Sequence, residues 1–222
     1  MRPKPRVKIC CIGSVEEARL AVAHGASALG LVSAMPSGPG VIEEELIAKI
    51  AASVPPPVAT FLLTSKQDAA SIAEQQRRCD VNTLQLCDRV QPGGHRALRA
   101  ALPGVSLVQV IHVTGPESVE EAISVADEVD ALLLDSGNQR LPVKELGGTG
   151  RKHDWRVSRR ICEIVRIPVF LAGGLNPDNV HEAMQEVGPF GLDICSGVRT
   201  NGRLDEDKLA RFFEAIEQHQ FA

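Results

Sequence analysis

Short apolar runs, each followed by a polar stretch of helical period, recur along the whole chain. The first run, Arg6-Val7-Lys8-Ile9-Cys10-Cys11-Ile12, is rich in β-formers and leads at once into Gly13 and the capping-box pattern Ser14-Val15-Glu16-Glu17. It predicts a buried strand feeding a helix that stops near His24-Gly25. Seven further strands are predicted over 28–32, 58–63, 82–87, 105–113, 131–135, 167–172 and 190–195. Helical patterns follow them over 43–53, 67–78, 94–102, 116–127 and 154–165, then after Asn176-Pro177, and last from Asp205. Pro55-Pro56-Pro57 stops the second helix, Asp154 caps the sixth, and Asn176 with Pro177 reads as a cap followed by the first helical residue.

Eight strand–helix pairs with short apolar strands predict an α/β fold, a (β/α)₈ barrel forming a single domain over 1–222. A doubly wound sheet is disfavoured, because neither a dinucleotide nor a P-loop fingerprint follows the first strand. In such a barrel the carboxyl ends of the strands share one mouth, so unusual residues there are the first candidates for chemistry. In strand one, Lys8, Cys10 and Ile12 fall on one face and Val7, Ile9 and Cys11 on the other. Cys10 is therefore a candidate catalytic group with Lys8 a layer below; the alternative is a small buried thiol.

Composition narrows the partners. The net charge of −4 and the lack of a basic run argue against nucleic acid, and the absence of tyrosine leaves little to stack on bases. Six cysteines without CxxC or Cys/His spacing indicate neither a zinc site nor a disulfide framework. Arg2, Lys4 and Arg6 open the chain with no apolar signal core behind them, and no apolar run is long enough to span a bilayer. The expectation is a cytoplasmic protein with no metal and no membrane or nucleic-acid partner; its oligomeric state is not legible.

Strand six ends in Asp135, a second candidate, though a carboxylate beside Ser136-Gly137 also suits a turn cap. Strand seven ends in Gly173-Gly174 and strand eight in Ser196-Gly197. The loops after these two strands commonly bind phosphate in this fold, where glycine lets amides approach an anion. Each pair alone merely ends a strand; two pairs on adjacent strands favour phosphate, with Arg199 available to add charge. The long segment 136–153 carries Gly147-Gly148-Thr149-Gly150, a lid or only a connection.

With these residues assembled, the chain resembles the phosphoribosylanthranilate isomerase family over nearly its whole length. The motifs that carry the likeness are Val7-Lys8-Ile9-Cys10, Leu133-Leu134-Asp135-Ser136, Gly147-Gly148-Thr149-Gly150 with Asp154-Trp155, Ala172-Gly173-Gly174-Leu175-Asn176-Pro177, and Ser196-Gly197-Val198, in that order. The resemblance implies a cofactor-independent Amadori rearrangement of an aminoaldose phosphate to an aminoketose phosphate, in tryptophan biosynthesis. Asp135 would match the general acid and Cys10 the general base, with Lys8 favouring the thiolate. Lys8, Gly148, Gly173, Gly174, Asp193, Ser196 and Gly197 would hold the phosphorylated substrate. The alternatives are a barrel repurposed for another phosphosugar, or a phosphate-binding protein without turnover.

Three departures stand out. After the cysteine the family has Gly and then Ile-Thr, where this chain has Cys11-Ile12-Gly13, with Cys11 expected to pack against the helices. The family's loop after strand two carries an arginine used on the substrate; here Ser37-Gly38-Pro39-Gly40 stands instead. Its Gln-Leu-His-Gly after strand four becomes Gln85-Leu86-Cys87-Asp88. The expectation is poor use of phosphoribosylanthranilate, or preference for a substrate lacking the aromatic carboxylate, unless Arg89, Arg140 or Lys144 reaches in from another loop.

Overall fold

In the computed structural model, which describes residues 4–218, the eight predicted strands close into one parallel barrel. The strands are β1 (Arg6–Ile9), β2 (Ala28–Val32), β3 (Ala59–Thr64), β4 (Thr83–Leu86), β5 (Ser106–His112), β6 (Ala131–Asp135), β7 (Val169–Leu171) and β8 (Gly191–Ile194). Between them run α1 (Val15–Ala23), α2 (Glu44–Ser53), α3 (Ala69–Cys79), α4 (Gly94–Ala101), α5 (Glu117–Ala126), α6 (Trp155–Ile164) and α7 (Val180–Val187). After β8 come a 3₁₀ turn (Ser196–Val198), a two-stranded antiparallel hairpin of β9 (Arg199–Thr200) and β10 (Arg203–Leu204), and α8 (Glu206–Gln218). The barrel closes where β8 pairs with β1, Arg6 opposite Gly191 and Ile9 opposite Ile194. Arg2 lies outside the described residues.

Strand alternation sorts the side chains into two cores. Ile9, Leu29, Leu31, Leu62, Leu84, Leu132, Leu134 and Leu192 point outward and pack with the inner faces of the helices. The inward set includes Cys10, Val32, Phe61, Leu63, Val108, Val110, Leu133 and Phe170. Phe61 and Phe170 meet edge to face at 5.9 Å, and Gly191 leaves room for the Phe170 ring, since a Cβ there would sit 2.5 Å from it. Each large apolar side chain so buried contributes roughly 1.5–3 kcal/mol.

The caps form largely as the sequence predicts. Ser14 Oγ accepts from the Glu17 amide at 3.2 Å, and Asp154 accepts from the Arg156 amide. One start differs. Asn176-Pro177 does not open the seventh helix, which begins at Val180. Asn176 Oδ1 instead accepts from the Asp178 and Asn179 amides, while Asn179 Oδ1 accepts from the Asn176 amide. The asparagine thus bonds its own following backbone, an alternative to capping open to this residue type.

Candidate active site

The carboxyl ends of the strands surround a cleft of about 680 Å³, part of it open to solvent. Of the residues singled out in the sequence, Cys10, Asp135, Gly148, Gly173, Gly174, Asp193 and Ser196 line it. Two do not. Gly197 packs beneath the neighbouring loop, where a Cβ would lie 2.1 Å from the Leu175 carbonyl oxygen. Lys8 is fully buried one layer below Cys10, so its expected contact with substrate is replaced by an internal role.

That role is an ion pair. Lys8 Nζ donates to Asp193 Oδ1 at 2.8 Å across the β1–β8 seam, and its ammonium also lies 5.4 Å from the Phe61 ring centroid. Burial works against the Lys8 charge, but the adjacent Asp193 carboxylate outweighs it and holds the ammonium above its ordinary pKa. Burial pushes the Asp193 carboxyl up, with Lys8 opposing. Lys8 and Cys10 do share a face, as alternation requires. A Cβ at Gly30 would come within 2.8 Å of Cys10 Sγ and 2.9 Å of Lys8 Nζ, so the gap is sized for glycine.

At Cys11 the strand pattern ends. The Cys10 amide still donates to Ile194 O at 2.8 Å, but Cys11 adopts φ 60°, the left-handed region that non-glycine residues avoid at a cost of roughly 1–2 kcal/mol. The turn corrects the sequence expectation: Cys11 joins the cleft wall, and Ile12 takes its place in the helix-facing core. Arg199 holds this backbone. Its guanidinium donates to Cys10 O at 3.2 Å and Cys11 O at 2.6 Å, and it pairs with Glu17, which also accepts from the Gly13 and Leu204 amides. Burial opposes ionisation of Glu17, but Arg199 and the two amides keep its carboxyl below its ordinary range. Arg199 is thus committed to the ends of β1 and α1, and the sequence expectation that it adds charge to a phosphate site is corrected.

Four thiols face the cleft: Cys10, Cys11, Cys87 and Cys195. Hydrogen bonding to Cys10 and Cys195 pushes the Cys11 thiol up, and burial does the same to Cys87. The Cys11 S–H, with Arg199 adding positive charge, draws Cys195 down towards thiolate. Cys195 stands just past β8, two residues after the inward-facing Asp193, and no motif in the sequence marks it. Gln85, of the Gln85-Leu86-Cys87-Asp88 stretch, also lines the cleft; its side-chain oxygen is buried with no partner among the described residues.

Across the mouth, Asp135 is 9% exposed. Its Oδ1 accepts from the Ser136 amide at 2.7 Å, and a Cβ at Gly147 would sit 2.7 Å from Oδ2. The loop after β6 therefore lies against the carboxylate and needs glycine there. On the β7–β8 side, Gly173 and Gly174 take positive φ values of 86° and 66°. A Cβ at Gly174 would crowd the Gly150 and Arg151 backbone at 3.0–3.1 Å, and one at Gly150 would stand 3.6 Å from Ser196 Oγ. Backbone from three loops converges on this end of the cleft, a concave arrangement of the kind that takes anions. Among the described residues, no group of three His, Cys, Asp or Glu side chains is placed to hold a metal ion, and no helix is long and apolar enough to cross a membrane.

Residues 7–215 match the family model for N-(5'-phosphoribosyl)anthranilate (PRA) isomerase. N-(5'-phosphoribosyl)anthranilate isomerase 2 of Methanosarcina mazei is 36% identical over 97% of this chain and 96% of its own length. The N-(5'-phosphoribosyl)anthranilate isomerase of Methanocella arvoryzae is 35% identical over 96% and 97% respectively. Among solved structures, the phosphoribosyl anthranilate isomerase of Thermus thermophilus superposes with a TM-score of 0.80 at 27% identity, covering 96% of this chain and 98% of that one. A phosphoribosyl anthranilate isomerase in complex with reduced 1-(O-carboxyphenylamino)-1-deoxyribulose 5-phosphate gives a TM-score of 0.80 at 26% identity, over 96% and 99%.

Proposed function

The chain belongs to the N-(5'-phosphoribosyl)anthranilate isomerase family, and from that premise we propose that Cys10 and Asp135 carry its reaction from opposite sides of the cleft. The enzyme is an aldose–ketose isomerase of tryptophan biosynthesis that converts phosphoribosylanthranilate to the aminoketose phosphate. The observation that carries the assignment of roles is that the Cys10 thiol, just past β1, and the Asp135 carboxyl, at the end of β6, line the same cleft, whose β7–β8 end is built of close-packed glycine backbone.

Asp135 gives its proton to the furanose ring oxygen as the C1′–O bond breaks, and the ring opens to a Schiff base. Cys10 then takes the proton from C2′. The electron pair of that C–H bond becomes the C1′–C2′ double bond, and the imine nitrogen receives the displaced pair, giving an enolamine. Tautomerisation returns a proton to C1′ and leaves the ketone at C2′. The sum is proton-neutral, as an isomerisation must be. The substrate phosphate sits on the amides around Gly148, Gly173, Gly174 and Ser196, which anchors the sugar so that C1′ and C2′ lie between the two groups. The Lys8–Asp193 pair below Cys10 fixes the floor of the site. The protein works in the cytoplasm.

The test is genetic. The wild-type chain restores growth of an isomerase-deficient tryptophan auxotroph on medium without tryptophan, and Cys10→Ser expressed at equal level does not. Failure of the wild-type protein to rescue, despite soluble expression, contradicts the assignment.

A further inference from the structure

The ligand held by a related isomerase carries two anionic ends, a phosphate and a carboxyphenyl group. In this chain the glycine-built end of the cleft suits the first. The second must enter a cleft whose wall, among the described residues, includes neither arginine nor lysine. A carboxylate leaving water without a cationic or hydrogen-bonding partner is strongly disfavoured. Its partner must come from hydrogen-bond donors of the wall itself or from a cation beside it.

Of the three cations the sequence offers, the structure separates one. Arg89 donates to Glu121 on the outer surface with its side chain 72% exposed. Arg140 is exposed, and its amide donates to Asn138 Oδ1 within its own loop. Lys144 alone is built into the mouth. Its carbonyl accepts from Ser37 Oγ at 2.7 Å, and Ser37 is a cleft residue of the loop after β2. Its ammonium donates to Asp88 Oδ2 at 2.5 Å, and Asp88 follows the cleft residue Cys87. The loops after β2 and β6 touch again where a Cβ at Gly38 would lie 3.4 Å from Gly147 O and one at Gly148 would lie 2.6 Å from Pro39 Cδ.

Resting on the isomerase reading above, we propose that Lys144 is the specificity-determining cation of this enzyme, and that its ammonium binds the aryl carboxylate of the substrate. A lysine ammonium has three donors. Asp88 takes one of them, and its other oxygen is fixed by the Arg89 amide at 2.8 Å. Asp88 therefore steers the ammonium and leaves two donors free for the ligand. The side chain is 38% exposed, so solvent screens its charge. The bare loop Ser37-Gly38-Pro39-Gly40 is thus consistent with a carboxylated substrate, because the cation arrives from the loop after β6.

The experiment titrates two reduced product analogues, with and without the ring carboxyl, into wild type, Lys144→Met and Lys144→Arg, and measures kcat and KM with phosphoribosylanthranilate. A hydrogen bond to a charged group corresponds to roughly 10- to 150-fold in affinity, and screening puts this one near the lower bound. The expected result is a roughly tenfold rise in KM and in the Kd of the carboxylated analogue for Lys144→Met. Its kcat and its affinity for the carboxyl-free analogue stay within about twofold, and Lys144→Arg recovers most of the loss. Equal weakening of both analogues, or of neither, in an enzyme that turns over its substrate overturns the role of Lys144 alone. Absence of turnover by wild type overturns the isomerase reading and this proposal with it.

Discussion

Asp135→Asn is expected to lower kcat for phosphoribosylanthranilate by about 10²- to 10⁴-fold, the usual worth of a positioned general acid. An amide keeps the size of the carboxyl group and still accepts from the Ser136 amide, the 2.7 Å contact that orients the side chain. It has no acidic proton to give to a ring oxygen. The loop after β6 lies against Oδ2 at Gly147, so the substitution is nearly isosteric where space is tightest. Steady-state kinetics beside titration of the reduced product analogue separate chemistry from binding. The expected pattern is a collapse of kcat with the analogue's Kd within a few-fold of wild type. Equal loss of both would indicate a collapsed site instead of a missing acid.

The second large effect is on stability. Lys8→Met is expected to destabilise the fold by about 3–5 kcal/mol, because it strands the Asp193 carboxylate in the barrel interior. Lys8 is fully buried and Asp193 is 8% exposed, so water cannot readily replace the lost partner. For a chain of this size that corresponds to a fall in Tm of roughly 6–20 °C. The double variant Lys8→Met/Asp193→Leu removes both charges and should recover most of the loss, since a buried ion pair is often nearly matched by apolar residues of similar volume. Thermal unfolding followed by circular dichroism reads both. A double variant no more stable than the single one would mean that Lys8 acts through packing and not through its charge.

The sequence makes the barrel legible because each strand is short, apolar and closed by glycine, proline or a capping residue; β6 is read at its observed bounds, Ala131–Asp135. Lys8 and Cys10 are readable as face partners for the same reason, since alternation holds through Cys10. It fails one residue later. The positive φ of Cys11 depends on Arg199, 188 residues away in the chain, whose guanidinium holds the Cys11 carbonyl. No local pattern records that contact. The partner of Lys8 is equally remote, since Asp193 is 185 residues on and meets it only through closure of β8 on β1. Arg199 itself misleads from sequence, because its nearness to Ser196-Gly197 suggests an anion ligand while Glu17 on α1 captures it. Lys144 sits in an irregular segment with no periodicity to orient it. Only the contacts with Ser37 and Asp88 bring it to the mouth.

The most direct test of the account is the kcat/KM of purified wild type and Cys10→Ser with phosphoribosylanthranilate, measured beside the Kd of the reduced product analogue for each. The expected wild-type value lies within the usual enzyme range of about 10⁴–10⁸ M⁻¹s⁻¹. Cys10→Ser is expected to lose at least about 10²-fold with the analogue still bound. Near-wild-type turnover by Cys10→Ser, or a wild-type protein that binds the analogue and turns over no substrate, would contradict the account.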